Sequence, residues 1–296
     1  MRIFMTGASG WIGSPTTSRL VAAGHEVVGL ARSDTAAAAI EAVGATPVRG
    51  DIEDLDLLRA QAAETDGVVH LAFRHDVAFT GDFLAAATSD RAAIEAFGDA
   101  LGGSGKPLVI ASGTLGLTPG AVATERDRPG ADSNPRAASA AATLELANRD
   151  VRSVVIRFAP TVHGAGDHGF MATLVAIARE TGVSGYPGAG TSRWPAVHVS
   201  DAAELVSRAV VAAPAGSVLH ATAETAVTTK AIATAIGAQL DVPVESIPAE
   251  RAAHFRFLAP LFGMDSPASS ELTRELLDWH PTGPTLLDDL TAGRYT

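Results

Sequence analysis

Short apolar runs alternate with helix-like stretches through the first half of the chain. Runs rich in Val, Ile and Leu predict β-strands at 2–6, 26–31, 46–49, 67–72, 107–112 and 153–158. The stretches between them predict helices at 16–23, 36–43, 55–63, 89–101 and 137–148. Gly24 and Gly44 follow the first two helices, where glycine commonly ends a helix. Because the strand runs are apolar on both faces, the alternation predicts an α/β fold with a doubly wound parallel sheet.

The pattern changes after Ala159. Glycine-rich loops at 164–167 and 186–191 interrupt it, and 195–199 and 217–221 predict further strands, each followed by a helix. From Pro243 onward the chain is predicted to be helical and broken by prolines. We therefore expect a sheet domain over 1–163, to which 196–223 return. A smaller, interleaved part would comprise 164–195 and 224–296.

Composition and charge narrow the possible classes of partner. The net charge of −11 disfavours a nucleic-acid or anionic-membrane partner. The absence of cysteine excludes disulfides, thiolate catalysis and cysteine metal sites, and no His, Asp and Glu cluster has metal-ligand spacing, so no metal is expected. The N-terminus lacks a signal-peptide layout, and no apolar run approaches the ~20 residues of a membrane span. A cytoplasmic protein is the expectation.

A glycine-rich turn follows the first strand directly and opens the first helix. Its sequence, TGASGWIG, occupies residues 6–13. Glycine is needed where the backbone bends sharply or approaches a pyrophosphate, and the helix N-terminus beyond it attracts phosphate. The turn predicts a dinucleotide site in the sheet domain; the alternative is a glycine-rich turn without a ligand. The predicted contacts are Thr6, Gly7, Ser9, Gly10, Trp11, Ile12 and Gly13.

The end of the second strand predicts which dinucleotide is preferred. A site for NAD would place Asp or Glu here to hold the ribose hydroxyls. This chain has Ala31 followed by Arg32 and Ser33, and an arginine suits the 2′-phosphate of NADP(H). The alternative is a solvated arginine at a strand end. We expect NADPH/NADP+ as the cofactor, with Arg32 and Ser33 near its 2′-phosphate.

The whole chain resembles the extended short-chain dehydrogenase/reductases, the epimerase/dehydratase-like family. The resemblance rests on the turn at 6–13, Gly50-Asp51, the sequence HLA at 70–72, ASGT at 111–114, PTVHG at 160–164 and VHVSD at 197–201. It implies a Rossmann-like sheet whose second part binds substrate. It further implies cofactor contacts from Asp51 and Ile52 at the adenine, and from Leu71, Ala72, Phe73, Pro160 and Val162.

The catalytic residues of that family are incomplete here. In the family a Ser or Thr after the fifth strand, then Tyr-x-x-x-Lys about 25 residues later, perform the proton chemistry. Thr114 matches the first position, with Ser112 as the near alternative, but the pair would fall near Arg136 and Ala140. The lysines of this chain are Lys106 and Lys230, and its tyrosines are Tyr186 and Tyr295. A general acid contributes ~10²–10⁴-fold, so another proton source is required.

Three proton sources remain open. The hydroxyl of Thr114 or Ser112 can bind a carbonyl oxygen but does not readily release its proton. A histidine could act, with His75, His163 and His168 as candidates, although His163 is better explained as a packed residue. A phenol on the substrate, with a pKa of about 10, could supply the proton internally. We favour the substrate.

Aromatic residues predict a flat, apolar substrate rather than a sugar nucleotide. They are Phe73, Phe79, Phe83, Trp194, Phe255, Phe257 and Phe262. The expected substrate contacts are Arg74, His75, Phe79, Thr114, His163, His168 and Trp194.

Within the family, the chain resembles the atypical ketoreductases of aromatic-polyketide antibiotic pathways, that of simocyclinone among them. The resemblance implies NADPH-dependent reduction of a ketone on a polycyclic, angucyclinone-like substrate by a monomer or homodimer. The alternative is a non-catalytic NADP(H) sensor that acts through a partner.

Overall fold

A computed structural model describes residues 1–78, 81–130 and 135–295. Its strands are β1 (Arg2–Thr6), β2 (Glu26–Ala31), β3 (Thr46–Arg49), β4 (Gly67–His70), β5 (Pro107–Gly113), β6 (Arg152–Phe158), β7 (Thr161–His163), β8 (Ser184–Pro187), β9 (Arg193–His198), β10 (Ser217–Ala221), β11 (Glu224–Thr228) and β12 (Val244–Ile247). The first six begin and end within two residues of the predicted strands, because most of them contain a run of apolar residues that the sequence shows directly.

The helices follow the strands in the alternating order that the sequence predicts. They are α1 (Gly13–Ala22), α2 (Asp34–Ala42), α3 (Leu55–Glu64), α4 (His75–Ala78), α5 (Phe83–Leu101), α6 (Pro135–Glu145), α7 (Phe170–Thr181), α8 (Val199–Ala212), α9 (Thr229–Leu240), α10 (Ala259–Phe262), α11 (Glu271–Leu277) and α12 (Leu286–Thr291), with 3₁₀ turns at Leu146–Arg149 and Ala249–Leu258. Helix α5 begins six residues before its predicted start, because the Asp82 carboxylate accepts from the amide of Ala85 and caps it.

The main sheet is parallel and doubly wound, as predicted. Within the described ranges it has seven strands in the order β10-β6-β5-β4-β1-β2-β3. Helices α1 and α8 cover one face, where Leu20 and Leu205 join the core, and α3 and α5 cover the other, where Leu58 and Phe97 are fully buried. The strand order reverses between β1 and β4. In such sheets the crevice at the carboxyl ends of these strands is where ligands bind.

Two smaller sheets accompany the C-terminal helices. One has the order β11-β9-β7 and the other pairs β12 with β8. They surround a third apolar core that includes Trp194, Phe255 and Phe262. Strand β10 joins the main sheet beside β6, although β7, β8 and β9 of the smaller sheets lie between these two strands in the chain. The division into 1–163 with 196–223, and 164–195 with 224–296, stays a prediction.

Two predictions about the C-terminal half are wrong. The strand at 217–221 is followed by β11 and only then by α9, and 244–247 form β12 within the segment predicted to be helical. Strand β11 is polar, and its antiparallel pairing with β9, Val227 opposite Trp194, makes it a strand. Such pairing leaves no trace in hydrophobic periodicity.

Among the described residues, no helix is long and apolar enough to cross a membrane.

A buried histidine joins the edge strand β10 to its neighbours. The Nδ1–H of His220 donates to the carbonyl of Ser269 at 2.7 Å, and its Nε2 accepts from Arg157 at 3.3 Å. The bond from Arg157 requires a neutral ring, because Nε2 can accept only when it carries no proton. Burial lowers the pKa of His220 to about 4, although the Glu125 carboxylate acts in the opposite direction.

Acid should destabilise the wild-type protein more than the His220→Gln variant. In the unfolded chain a histidine takes up a proton below pH ~6.5, whereas the folded ring stays neutral down to about 4. The stability that His220 contributes is therefore complete above pH ~6.5 and is lost as the pH falls toward the folded value. Urea midpoints at about pH 7 and about pH 5 measure this difference. His280→Gln, at a side chain 72% exposed, is the control. An equal pH-dependent loss in wild type and His220→Gln would contradict the assignment.

Candidate active site

The turn after β1 has no room for side chains at two of its glycines. Gly7 has φ +70°, and a Cβ there would lie 2.8 Å from the amide nitrogen of Ala72. A Cβ on Gly13 would lie 1.8 Å from the carbonyl oxygen of Gly7. The amide of Gly10 closes the turn by donating to the same oxygen at 2.9 Å. The backbone is therefore held in the compact form that a pyrophosphate can approach.

The N-terminus of α1 leaves donors for an anion. The residue preceding the helix, Ile12, makes no side-chain capping bond, and the first turn of α1 contains no acidic residue. Ser9 is half-buried and Gly10 exposed at the mouth of the turn. Unpaired amides and the positive end of the helix dipole suit phosphate groups. The turn and helix thus fit the dinucleotide that the sequence predicts.

Two predicted cofactor residues have their polar atoms engaged within the fold. The hydroxyl of Thr6 lies 2.7 Å from Nδ1 of His70 and accepts from the amide of Ala72, so it ties β1 to the end of β4. The indole N–H of Trp11 donates to the carbonyl of Val162 at 2.8 Å and ties the turn to β7. Contact of either residue with a cofactor stays a prediction, as does the contact predicted for Pro160, which is half-buried.

Arg32 lies exposed after β2, in a cluster of opposite charges. Its guanidinium is 3.1 Å from Asp76, and Asp76 also pairs with Arg74 at 3.2 Å. Arg74 contacts Glu53 at 3.1 Å and lies 4.0 Å from Asp51. The hydrogen bond from Arg74, together with the charge of Arg32, holds the pKa of Asp76 below its ordinary value. Asp76 therefore lies beside Arg32 as an anion.

Two predicted cofactor residues beside this cluster also stabilise the fold. The hydroxyl of Ser33 caps α2 by accepting from the amide of Ala36. Ile52 is buried in the core beneath the sheet edge, and Asp51 is half-buried above it. Leu71, Ala72 and Phe73 are half-buried where β4 ends.

The two candidate catalytic hydroxyls differ in exposure. Thr114 is buried, and its hydroxyl donates to the carbonyl of Phe158 at 3.3 Å. Ser112 is half-buried on β5, next to the exposed Gly113. Ser112 is thus the hydroxyl more open to a ligand, although Thr114 is the residue that matches the family position.

Arg136 reaches the same edge of the sheet. In the sequence it stands near the position of the family's missing tyrosine. It lies in the first turn of α6, and its Nη2 donates to the carbonyl of Ala111 at 2.8 Å. Its Cζ stands 4.4 Å from the centre of the Phe73 ring. Burial lowers the pKa of Arg136, with Asp90 acting in the opposite direction. The sequence feature that could have singled out Arg136 is its position, because a cation stands near the place of the family's tyrosine.

A second hydroxyl-bearing pair on α6 faces the sheet. Ser139 lies 25 residues after Thr114, and Thr143 lies one turn further. Both are buried, and the hydroxyl of Thr143 donates to the carbonyl of Ser139. The Ser139 hydroxyl has no hydrogen-bond partner among the described residues.

The three candidate histidines lie in two environments. His75 lies 5.2 Å from the Phe73 ring, and partial desolvation and the charge of Arg136 lower its pKa. His168 lies 5.9 Å from the Trp11 ring. His163 is fully buried, and its Nδ1 is 2.7 Å from Asp289 of α12. Burial lowers the pKa of His163 despite that bond, which fits a packed residue better than a base in contact with substrate.

The aromatic residues also separate into two groups. Trp194 is fully buried against Phe262 at 5.3 Å, and its indole N–H donates to the carbonyl of Met264. Trp194 therefore exposes no surface in this structure for the substrate contact that the sequence predicts. Phe73 and Phe83 lie 5.9 Å apart at the edge of the main sheet. Phe79 lies outside the described residues.

Comparison with known proteins shows the family to which the chain belongs. The model of the "NAD dependent epimerase/dehydratase family" matches residues 3–220. The chain belongs to this family. An uncharacterized protein of Schizosaccharomyces pombe is 45% identical over 100% of both chains. Another, of Saccharomyces cerevisiae, is 43% identical over 99% of this chain and 98% of its own.

More distant relatives have named activities. A 4-hydroxy-2-methyl-3-oxo-4-farnesyl-3,4-dihydroquinoline-1-oxide ketoreductase of Stigmatella aurantiaca is 42% identical over 72 residues, 24% of this chain and 22% of that one. Among solved structures, UDP-glucose 4-epimerase of Thermotoga maritima with UDP-glucose has a TM-score of 0.78 at 18% identity, covering 100% and 98% of the chains. MoeE5 with UDP-glucose and NAD has a TM-score of 0.77 at 20% identity, covering 99% and 97%. At these identities the likeness concerns the fold.

Proposed function

We propose that this protein is an NADPH-dependent ketoreductase that reduces one carbonyl of a polycyclic aromatic ketone. The observation that carries the proposal is the meeting of two features at one edge of the main sheet. The uncapped, glycine-lined turn can take a dinucleotide, and Ser112, Phe73 and Arg136 lie at the ends of the neighbouring strands. A carbonyl compound bound beside them would lie at the topological switch point of the sheet.

The choice of NADPH rests on Arg32. An exposed arginine after β2 can form charge-assisted bonds to a 2′-phosphate, and no acidic residue occupies positions 31–33 to hold ribose hydroxyls. When bound, NADPH supplies the hydride that reduces the carbonyl.

The protein's own groups would bind and orient the ketone. Ser112, with Thr114 behind it, would donate to the carbonyl oxygen, and the rings of Phe73 and Phe83 would exclude water from one side. The Tyr-x-x-x-Lys pair is absent, so the proton comes from a phenol beside the ketone of the substrate.

The substrate class is supported by two likenesses. The Stigmatella ketoreductase that matches 24% of this chain is named for a ketone on a bicyclic dihydroquinoline. The resemblance to ketoreductases of aromatic-polyketide pathways, described above, suggests a substrate of the polyketide, angucyclinone-like type. We propose a small-molecule partner of this kind for a monomer or homodimer.

NADPH absorbance in the presence of a panel of polycyclic aromatic ketones tests the proposal. We expect the purified protein to consume NADPH with ketones that carry a neighbouring phenol. Methylating that phenol should reduce turnover at least ~100-fold while leaving binding largely intact, because the proton source is removed. Equal turnover of the methylated compounds would exclude the substrate as acid.

The absence of the Tyr-x-x-x-Lys pair also favours a second candidate function, that of a non-catalytic NADP(H) sensor. Such a protein would bind NADPH tightly and consume none of it with any ketone of the panel. That result would replace the reductase with the sensor.

A further inference from the structure

We propose that Arg136 binds the oxygen of a substrate phenol and stabilises the phenolate that proton transfer leaves, so that the cleft selects aromatic ketones bearing an acidic hydroxyl beside the carbonyl. This inference rests on the proposed reductase and deepens it: it names the group that recognises the substrate and stabilises the charge left by the reaction. Arg136 would then be a catalytic residue in place of the missing tyrosine and lysine.

The position of Arg136 places a cation where the reacting carbonyl would lie. One nitrogen of the guanidinium is bonded to the carbonyl of Ala111, directly before Ser112 on β5. The guanidinium stands over the ring of Phe73, at the end of β4. The guanidinium thus bridges the carboxyl ends of β4 and β5, beside the glycine turn that follows β1.

Arg136 differs in its ion pairing from the other arginines at this edge of the sheet. Arg32 and Arg74 both pair with Asp76. Within the described ranges, Arg136 forms no ion pair, and its buried Nε has no hydrogen-bond partner. The nearby carboxylate of Asp90 is buried and lies 3.3 Å from Nε2 of His70.

Arg136 is half-buried, and a cation removed from water without an ion pair is costly for a fold unless a ligand supplies the opposite charge. Flat aromatic surface accompanies the cation here, because Phe73 stacks under it and Phe83 lies beside Phe73. A planar guanidinium binds a planar phenolate or an adjacent pair of oxygens well. The ligand that fits both features is a flat ring carrying an acidic oxygen.

In the proposed reaction Arg136 acts only through its fixed positive charge and exchanges no proton. The carbonyl carbon gains the hydride and its two electrons, and the C=O π pair moves to the oxygen. The phenol O–H bond breaks, its proton joins that oxygen to give the alcohol, and the phenolate charge remains opposite Arg136. Arginine keeps its own proton throughout, and the phenolate is reprotonated by water after release.

Alizarin, a hydroxylated anthraquinone whose colour reports ionisation, tests the inference without turnover. Bound to the wild-type protein in the presence of NADP+, its acid dissociation constant should rise at least ~10-fold, because a cation within contact distance favours the phenolate. Arg136→Met should abolish the rise and Arg136→Lys should restore part of it. Arg91→Met is the matched control: Arg91 also donates to a backbone carbonyl, that of Ala138 on α6, but pairs with Glu95 away from the cleft.

Each outcome separates this inference from the reductase itself. A rise in wild type and Arg91→Met, lost only in Arg136→Met, supports the anion site even if no ketone is reduced. Failure of the wild type to bind alizarin, or equal behaviour of the Arg136→Met and Arg91→Met variants, overturns it even if ketones are reduced. Circular dichroism and NADPH affinity confirm that each variant is folded.

Discussion

Gly13→Ala should weaken NADPH binding by at least ~100-fold, because two or more charge-assisted bonds from the turn to phosphate, each contributing about 1.5–3 kcal/mol, would be displaced. The new Cβ would lie 1.8 Å from the carbonyl oxygen of Gly7, so the backbone of the turn must move. Because Gly7 itself abuts Ala72 at the end of β4, that movement has no space on the sheet side. Titration of protein fluorescence with NADPH measures the affinity.

Two variants keep this result interpretable. At Gly130 an added Cβ meets open space, so Gly130→Ala should bind NADPH like the wild type. Thermal unfolding of Gly13→Ala separates loss of the site from loss of the fold. A folded Gly13→Ala protein with unchanged affinity would show that the turn does not approach the phosphates.

Arg32→Ala should weaken NADPH binding about 10- to 100-fold and leave NADH binding nearly unchanged. The two cofactors differ only in the 2′-phosphate, and one charge-assisted contact to it contributes about 1.5–3 kcal/mol. The exposed position of Arg32 makes a structural effect of the substitution small. Dissociation constants for both cofactors, measured at a stated salt concentration, test the prediction. Equal weakening of NADPH and NADH would remove Arg32 from the 2′-phosphate site.

Asp76→Asn, in the same cluster of charges, should change NADPH affinity in the opposite direction. The Asp76 carboxylate pairs with Arg32 and Arg74, so a bound phosphate must compete with it or be repelled by it. Removing that charge should strengthen NADPH several-fold while NADH changes little. A weaker NADPH complex in Asp76→Asn would mean that Asp76 positions the arginines instead.

Local features of the sequence determined the glycine-rich turn that is the candidate dinucleotide site. The β1–turn–α1 unit is contiguous, so the apolar strand, the glycines and the helix start predict one another. The alternation of strands and helices likewise predicts the parallel sheet, because each unit buries its own apolar face. The comparisons confirm the family and the fold that these motifs predict.

Long-range packing decided what lies opposite that turn. Phe73 and Arg136 are far apart in the sequence, and only the pairing of β4 with β5 and the docking of α6 bring the guanidinium over the ring. The same packing buries Thr114 against Phe158, and it encloses Trp194 in the core of the second part. Sequence periodicity reports which residues are apolar and which elements they form, because that depends on neighbours along the chain. Which charge is left without a partner depends on residues that meet only in the folded protein, and tertiary structure alone decides it.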